Sequence, residues 1–92
     1  MSYPPILARV PTVLMGEEAR QQFQRLPKSI KARVLGIIER LADWPQVSGA
    51  KPLRHGLAGH YRIRTGGYRV QFRVVGSQVI VEKIGDRSGF YD

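Results

Sequence analysis

The chain has 92 residues, no cysteine, and 15 Lys+Arg against 7 Asp+Glu, a formal net charge of +8. At that length one domain is expected, and a hydrophobic share of 42% suffices for a modest core. The missing cysteines exclude disulfide scaffolds, thiolate metal sites and cysteine nucleophiles, while the surplus charge calls for a polyanionic partner: nucleic acid, an acidic protein or an anionic membrane surface.

The start, Met1-Ser2-Tyr3-Pro4-Pro5, has no charged stretch followed by a long apolar run. Neither a signal peptide nor a membrane span is expected, and the location is read as cytoplasmic. Residues 6–14 are β-prone, although Pro11 restricts them to an edge or bulged strand. Gly16-Glu17-Glu18 opens a first helix, where two acids suit the positive end of the helix dipole. Ala19, Phe23 and Leu26 then make one apolar stripe. Pro27 breaks the run and can restart a helix at its first position. The second helix is expected over about 28–43, with Ile30, Val34, Ile37, Ile38 and Leu41 as its core face. Gly36 inside it costs roughly 1 kcal/mol relative to alanine, which close packing against the first helix would explain. Pro45 ends the helix at Trp44.

Residues 46–59 read as a loop, with Gly49, Pro52, Gly56 and Gly59. The apolar period then changes from 3.6 to 2. Tyr61–Thr65, Tyr68–Val75 and Gln78–Ile84 are expected as three strands, joined by Gly66-Gly67 and Gly76-Ser77. Both joints are two-residue loops with glycine where a positive φ is needed, so the result is an antiparallel meander. The expected class is α+β: an N-terminal strand, two helices, then three strands.

Charge is concentrated in this second half. No acid occurs between Asp43 and Glu82, a window holding Lys51, Arg54, Arg62, Arg64, Arg69, Arg73, His55 and His60. Tight hairpins fix the pairing, so Arg64 should face Arg69 and Arg62 should face Gln71. In the second hairpin Arg73 should face Ile80, Gln71 should face Glu82, and Arg69 should face Ile84. Alternation then puts Tyr61, Ile63, Tyr68, Val70, Phe72, Val74, Val79 and Val81 under the helices. The opposite face receives Arg62, Arg64, Arg69, Gln71, Arg73 and Glu82, with Ile80 and Ile84. Like charges directly opposite on a sheet cost up to about 1 kcal/mol per pair, and an anionic ligand would relieve that repulsion. The planar guanidinium matches phosphate with two parallel hydrogen bonds. Lys51, Arg54, His60 and Arg73 are candidates for binding phosphate on this face. Glu82 is read either as an ion-pair partner of Arg69 or Arg73, or as a proton acceptor near Arg62. The two histidines match no zinc spacing, and no metal or cofactor is called for. After the last strand Arg87 can turn toward the basic face, and Tyr91 either packs on the core or offers a platform for a base.

Taken in order, Glu17-Glu18-Ala19 with Phe23 and Leu26-Pro27, Trp44-Pro45, Lys51-Pro52-Leu53, Tyr61-Arg62-Ile63-Arg64, Gly67-Tyr68-Arg69-Val70, and Ile84-Gly85-Asp86-Arg87 with Tyr91 resemble the RelE/ParE superfamily of type II toxin–antitoxin toxins. The resemblance spans about residues 13–92. It implies a β-α-α-β-β-β fold and, in the RelE-like branch, a metal-independent endoribonuclease that cuts mRNA on the ribosome. In that reaction the 2′-hydroxyl attacks the adjacent phosphate. It further implies that Arg62, Arg64, Arg69, Arg87 and Tyr91 carry the reaction: Arg69 and Arg87 on the scissile phosphate, Arg62 and Arg64 on the backbone and leaving oxygen, Tyr91 on a base. Some relatives use lysine at positions 62 and 64, or histidine at 86 or 90, and this chain has arginine, Asp86 and Phe90. Arginine does not give up its proton, so either Glu82, His60, Asp86 or Tyr91 supplies the base, or catalysis rests mainly on electrostatics and positioning. The resemblance also implies a cognate antitoxin, in a toxin–antitoxin hetero-oligomer, with the ribosome and mRNA as further partners and no membrane. Two other readings remain: a ParE-like inhibitor of DNA gyrase acting by protein contact, and a non-catalytic RNA-binding relative.

Overall fold

In the computed structural model, which describes residues 11–54 and 58–86, the chain runs β1 (Thr12–Met15), α1 (Glu17–Gln24), α2 (Lys28–Arg40), a 3-10 turn (Leu41–Asp43), β2 (Lys51–Pro52), β3 (His60–Thr65), β4 (Tyr68–Val75) and β5 (Gln78–Asp86). The α+β order is the expected one, with β2 added inside the stretch read as a loop. The sheet order is β1-β5-β4-β3-β2. The meander β3-β4-β5 is antiparallel, and β1 lies parallel to β5, with Val13 opposite Val79. Pro11 directly precedes β1, where a missing N–H costs the ladder least.

Helix α1 begins after Gly16, whose extended backbone provides no side-chain cap. Its first turn is tied instead by Glu17, which accepts from Arg20 Nη2 at 2.7 Å and from Gln21 Nε2 at 2.9 Å. Those hydrogen bonds, Arg20 first, hold the Glu17 carboxyl below its ordinary pKa. Pro27 sits just outside α2 as its N-cap, not at the first helical position expected for it. The helix also stops earlier than expected, at Arg40, and tightens into the 3-10 turn before Trp44-Pro45. Such tightening satisfies carbonyls that the proline forbids the helix to use. The close-packing explanation of Gly36 fails, because a Cβ built there would meet nothing within 4 Å.

Apolar residues at helical spacing and at period 2 meet in one buried cluster. It holds Ala19, Val34, Ile37 and Leu41 from the helical side and Ile63, Val70, Phe72, Val79, Val81 and Ile84 from the sheet. A fully buried aliphatic or aromatic side chain of this size contributes roughly 1.5–3 kcal/mol. Trp44 closes one end, edge-on to Tyr61 at 4.7 Å and to Phe72 at 5.3 Å between ring centroids.

Both hairpin loops open on a glycine in the left-handed region, Gly66 at φ +60° and Gly76 at φ +56°. The first hairpin has the expected register throughout. The second keeps it from Val75↔Gln78 to Phe72↔Val81, and then slips by one residue. Gln71 faces Lys83 and Arg69 faces Gly85, so the expected pairs Gln71–Glu82 and Arg69–Ile84 are not formed. The cause is packing. Val81 and Ile84 are 0% and 1% exposed in the same cluster, so the two residues between them must be accommodated outside it. A β-bulge at Glu82 does this, absorbing one extra residue on β5. Ile84, expected on the arginine face, is therefore a core residue. The Ile84 N–H is held by Gln22 Oε1 of α1 at 2.7 Å. Among the described residues no helix is long and apolar enough to cross a membrane.

Candidate nucleic-acid interface

The sheet face turned away from the helices is built in cross-strand rows. Arg64 on β3 stands opposite Arg69 on β4, with Gly85 beyond on β5. The next row runs Lys51 on β2, Arg62 on β3, Gln71 on β4 and Lys83 on β5. In the third, His60 stands opposite Arg73, which in turn faces Ile80. Short strand β2 thus places a second pair of like charges, Lys51 and Arg62, directly across from one another. Alternation along β3 and β4 produces this, because Arg62 and Arg64 on β3, and Arg69, Gln71 and Arg73 on β4, recur at every second residue while Ile63, Val70 and Phe72 between them go to the core.

Burial separates the arginines. Arg64 and Arg73 are exposed, Arg62 is half-buried, and Arg69 on the central strand is only 3% exposed. A guanidinium is always charged, so Arg69 is a buried positive centre across the strand pair from the solvent-facing Arg64. Arg54 follows β2 and is exposed. With Lys51, Pro52, Leu53 and Arg62 it lines a cavity of about 410 Å³. Three cations therefore surround a partly apolar hollow at the β2 edge. Such a lining suits a phosphate with an attached base or sugar.

The acid of the face is Glu82, on the bulge. Its Oε1 lies 2.8 Å from His60 Nδ1 and accepts from Gln71 Nε2 at 3.2 Å. Its Oε2 lies 3.7 Å from Arg73 Nε. The expected ion pair with Arg73 is present, and the contact with His60 is additional. His60 itself, read as a residue flanking the first meander strand, is the first residue of β3.

The structure therefore brings together Lys51, Arg54, His60, Arg62, Arg64, Arg69, Arg73 and Glu82 on one side of the sheet. Arg87 and Tyr91 lie outside the described residues, as does His55. Sequence reasoning missed Lys83 as a member of the second row. Strict alternation assigns it to the core side, and only the bulge reverses that. Among the described residues no group of three or more histidines, aspartates and glutamates is placed to hold a metal ion.

Comparison with known proteins agrees with this architecture. A family model described as the ParE toxin of the type II toxin–antitoxin system parDE matches residues 13–91. Among solved structures, the chain is similar to one in the toxin–antitoxin complex RelBE2 from Mycobacterium tuberculosis, with 31% identity over 84% of this chain and 98% of that one and a TM-score of 0.72. It resembles one in the RelB–RelE antitoxin–toxin complex from Methanococcus jannaschii, with 24% identity over 82% and 91% and a TM-score of 0.70. It also resembles the isolated E. coli RelE toxin, with 18% identity over 83% of each chain and a TM-score of 0.70. The latter two speak for the fold alone. No curated protein sequence matches the chain. With the family model spanning nearly the whole chain and the strand–helix–helix–meander fold in place, the chain belongs to the RelE/ParE superfamily of type II toxin–antitoxin toxins and has a RelE-like fold.

Proposed function

We propose that this toxin is a ribosome-dependent endoribonuclease of the RelE-like kind, cleaving mRNA by attack of a 2′-hydroxyl on the adjacent phosphate. The observation that carries the reading is the doubled row of like charges, Arg64 opposite Arg69 and Lys51 opposite Arg62. Folding alone disfavours such pairs. A phosphodiester backbone laid along β3 turns the same repulsion into ligand binding.

The roles follow from placement. Arg69, buried and central, stabilises the charge that grows on the phosphate oxygens as phosphorus becomes five-coordinate. Arg64 closes on the same phosphate from solvent. Arg62 and Lys51 hold the neighbouring phosphate, and the hollow they share with Arg54 receives the flanking nucleotide. Arg87 adds a second guanidinium at the scissile phosphate and Tyr91 stacks on a base, as the family resemblance implies. The products are a 2′,3′-cyclic phosphate and a free 5′-hydroxyl. The nucleophile belongs to the RNA, so the chemistry calls on the protein mainly for positioning, electrostatics and a proton acceptor. The partner that restrains the toxin is a cognate antitoxin whose acidic segment covers the cationic face. Both operate in the cytoplasm.

The test is controlled expression in bacteria with mapping of mRNA 5′ ends. New ends within codons, lost in Arg64→Ala, support the reading. Intact mRNA together with blocked supercoiling by purified gyrase would sink it. That outcome belongs to the second reading, a ParE-like gyrase inhibitor, favoured by the description of the family model that matches residues 13–91. RNA binding without cleavage would identify a non-catalytic relative.

A further inference from the structure

Arginine suits phosphate and cannot take a proton at any working pH. A face built from Arg62, Arg64, Arg69 and Arg73 therefore has to find its proton acceptor elsewhere. The bulge on β5 places a carboxylate against an imidazole in the middle of these cations. Val81 and Ile84 both enter the core, and Glu82 between them is directed back across β4. Three strands then contribute to one contact. Glu82 Oε1 from β5 meets His60 Nδ1 from β3 at 2.8 Å and Gln71 Nε2 from β4 at 3.2 Å. Arg73 Nε stands 3.7 Å from the second carboxylate oxygen. Bulges re-aim side chains in this way beside active sites.

The geometry specifies the imidazole. When Nδ1–H of the neutral ring donates to the carboxylate, Nε2 carries the lone pair. A ring oriented by a carboxylate at one nitrogen, with the other nitrogen left to accept, is the arrangement of a general base. The His60 and Glu82 side chains are 23% and 25% exposed, sheltered yet open to a ligand. His60 lies two residues before Arg62 on the same face of β3, about 7 Å along the strand. Among the described residues, the charged groups around the ring are Glu82 from β5, Arg73 from β4, Arg62 on its own strand, and Lys51 of β2 opposite Arg62.

We propose that His60 Nε2 accepts the proton of the attacking 2′-hydroxyl, with Glu82 as its positioning residue and Gln71 fixing Glu82. The inference rests on the ribonuclease reading above. As the 2′ O–H bond breaks, its proton passes to Nε2. The oxygen's electron pair forms the bond to phosphorus, and the bond from phosphorus to the 5′ oxygen breaks with its electrons on that oxygen. The 5′ oxygen takes a proton from water, and the imidazolium returns its proton to solvent. The step balances without metal or redox partner.

The test is single-turnover cleavage of a defined mRNA on programmed ribosomes by the full chain, across the pH range in which an imidazole titrates. His60→Gln keeps an amide able to reach Glu82, and His60→Ala opens a space for added imidazole. Both are expected to lose about 10²- to 10⁴-fold in rate while binding ribosomes like the wild type. The rising limb of the rate against pH should vanish, and imidazole should restore part of the His60→Ala rate. Glu82→Gln should lower the rate less and displace the limb, which a merely structural pair would not do. If His60→Gln cleaves at the wild-type rate with the limb unmoved, the inference is overturned, while loss of cleavage in Arg64→Ala in the same assay leaves the ribonuclease reading standing. If both His60 variants fail to fold, Glu82→Gln decides, and an unmoved limb overturns the proposal. Wild-type protein that binds ribosomes and cuts nothing sinks the reading and the inference together.

Discussion

The charge on the sheet face has a consequence that salt can measure. Binding single-stranded RNA releases counterions, and the logarithm of affinity falls with the logarithm of salt by about 0.7 per neutralised phosphate. On this face Arg73 is shared with Glu82, while Lys51, Arg54, Arg62 and Arg64 are exposed or half-buried around the hollow and the first row. With Arg64 at the scissile phosphate, Lys51 and Arg62 at its neighbour and Arg54 at the flanking nucleotide, about three phosphates are neutralised, so the slope is about −2.1 and affinity should drop about 20-fold between about 50 and 200 mM salt. Arg64→Gln weakens the contact to one of them and should bring the slope toward about −1.4. Lys28→Gln, an exposed cation at the start of α2 and outside this face, serves as the control and should leave the slope at its wild-type value. The assay is fluorescence anisotropy with a short labelled RNA over a salt series. Equal loss of slope in both variants would mean that RNA reads only the net charge of +8. A wild-type slope near zero would mean that the face does not hold phosphate at all.

Gly36→Ala should stabilise the fold by up to about 1 kcal/mol, because alanine is favoured in a helix interior and its methyl meets open space, raising the thermal midpoint by about 4–8 °C. Gly76→Ala should do the reverse, costing about 1–2 kcal/mol, since φ of +56° strains any L side chain; urea unfolding would read both. Hydrogen bonds from Arg20 and Gln21 lower the Glu17 pKa, so its contribution is present above the ordinary carboxylate range and is lost as pH falls through the lowered value. Wild type and Glu17→Gln should therefore differ in thermal midpoint at neutral pH and converge once the carboxylate is protonated. Persistence of the difference in acid would show that packing, not charge, is what the substitution removes.

Local chemistry made much of the fold and face legible from sequence. Two helices follow from apolar residues at helical spacing, and two tight hairpins from glycines that accept a positive φ. A two-residue loop allows one pairing, so Arg64 opposite Arg69 could be read without any coordinates. The acid-free window from Trp44 to Val81 marked the half of the chain in which positive charge is concentrated.

What the sequence left open was settled by contacts between distant parts. Strand β2 is two residues long and contains a proline, so it has no period of its own; it is a strand only because β3 offers an edge, and it brings Lys51 across from Arg62. The parallel pairing of β1 with β5 joins segments more than sixty residues apart, which no local pattern encodes. The bulge is the plainest case. Alternation from Gln78 assigns Ile84 to the arginine face, but the core claims both Val81 and Ile84, and burying Ile84 outweighs one interrupted ladder step. That decision sends Glu82 over β4 to His60, twenty-two positions away. The sequence by itself thus determined that arginines of this protein share one face of the sheet, because tight hairpins and alternation are local; tertiary packing decided that a carboxylate-oriented imidazole stands among them.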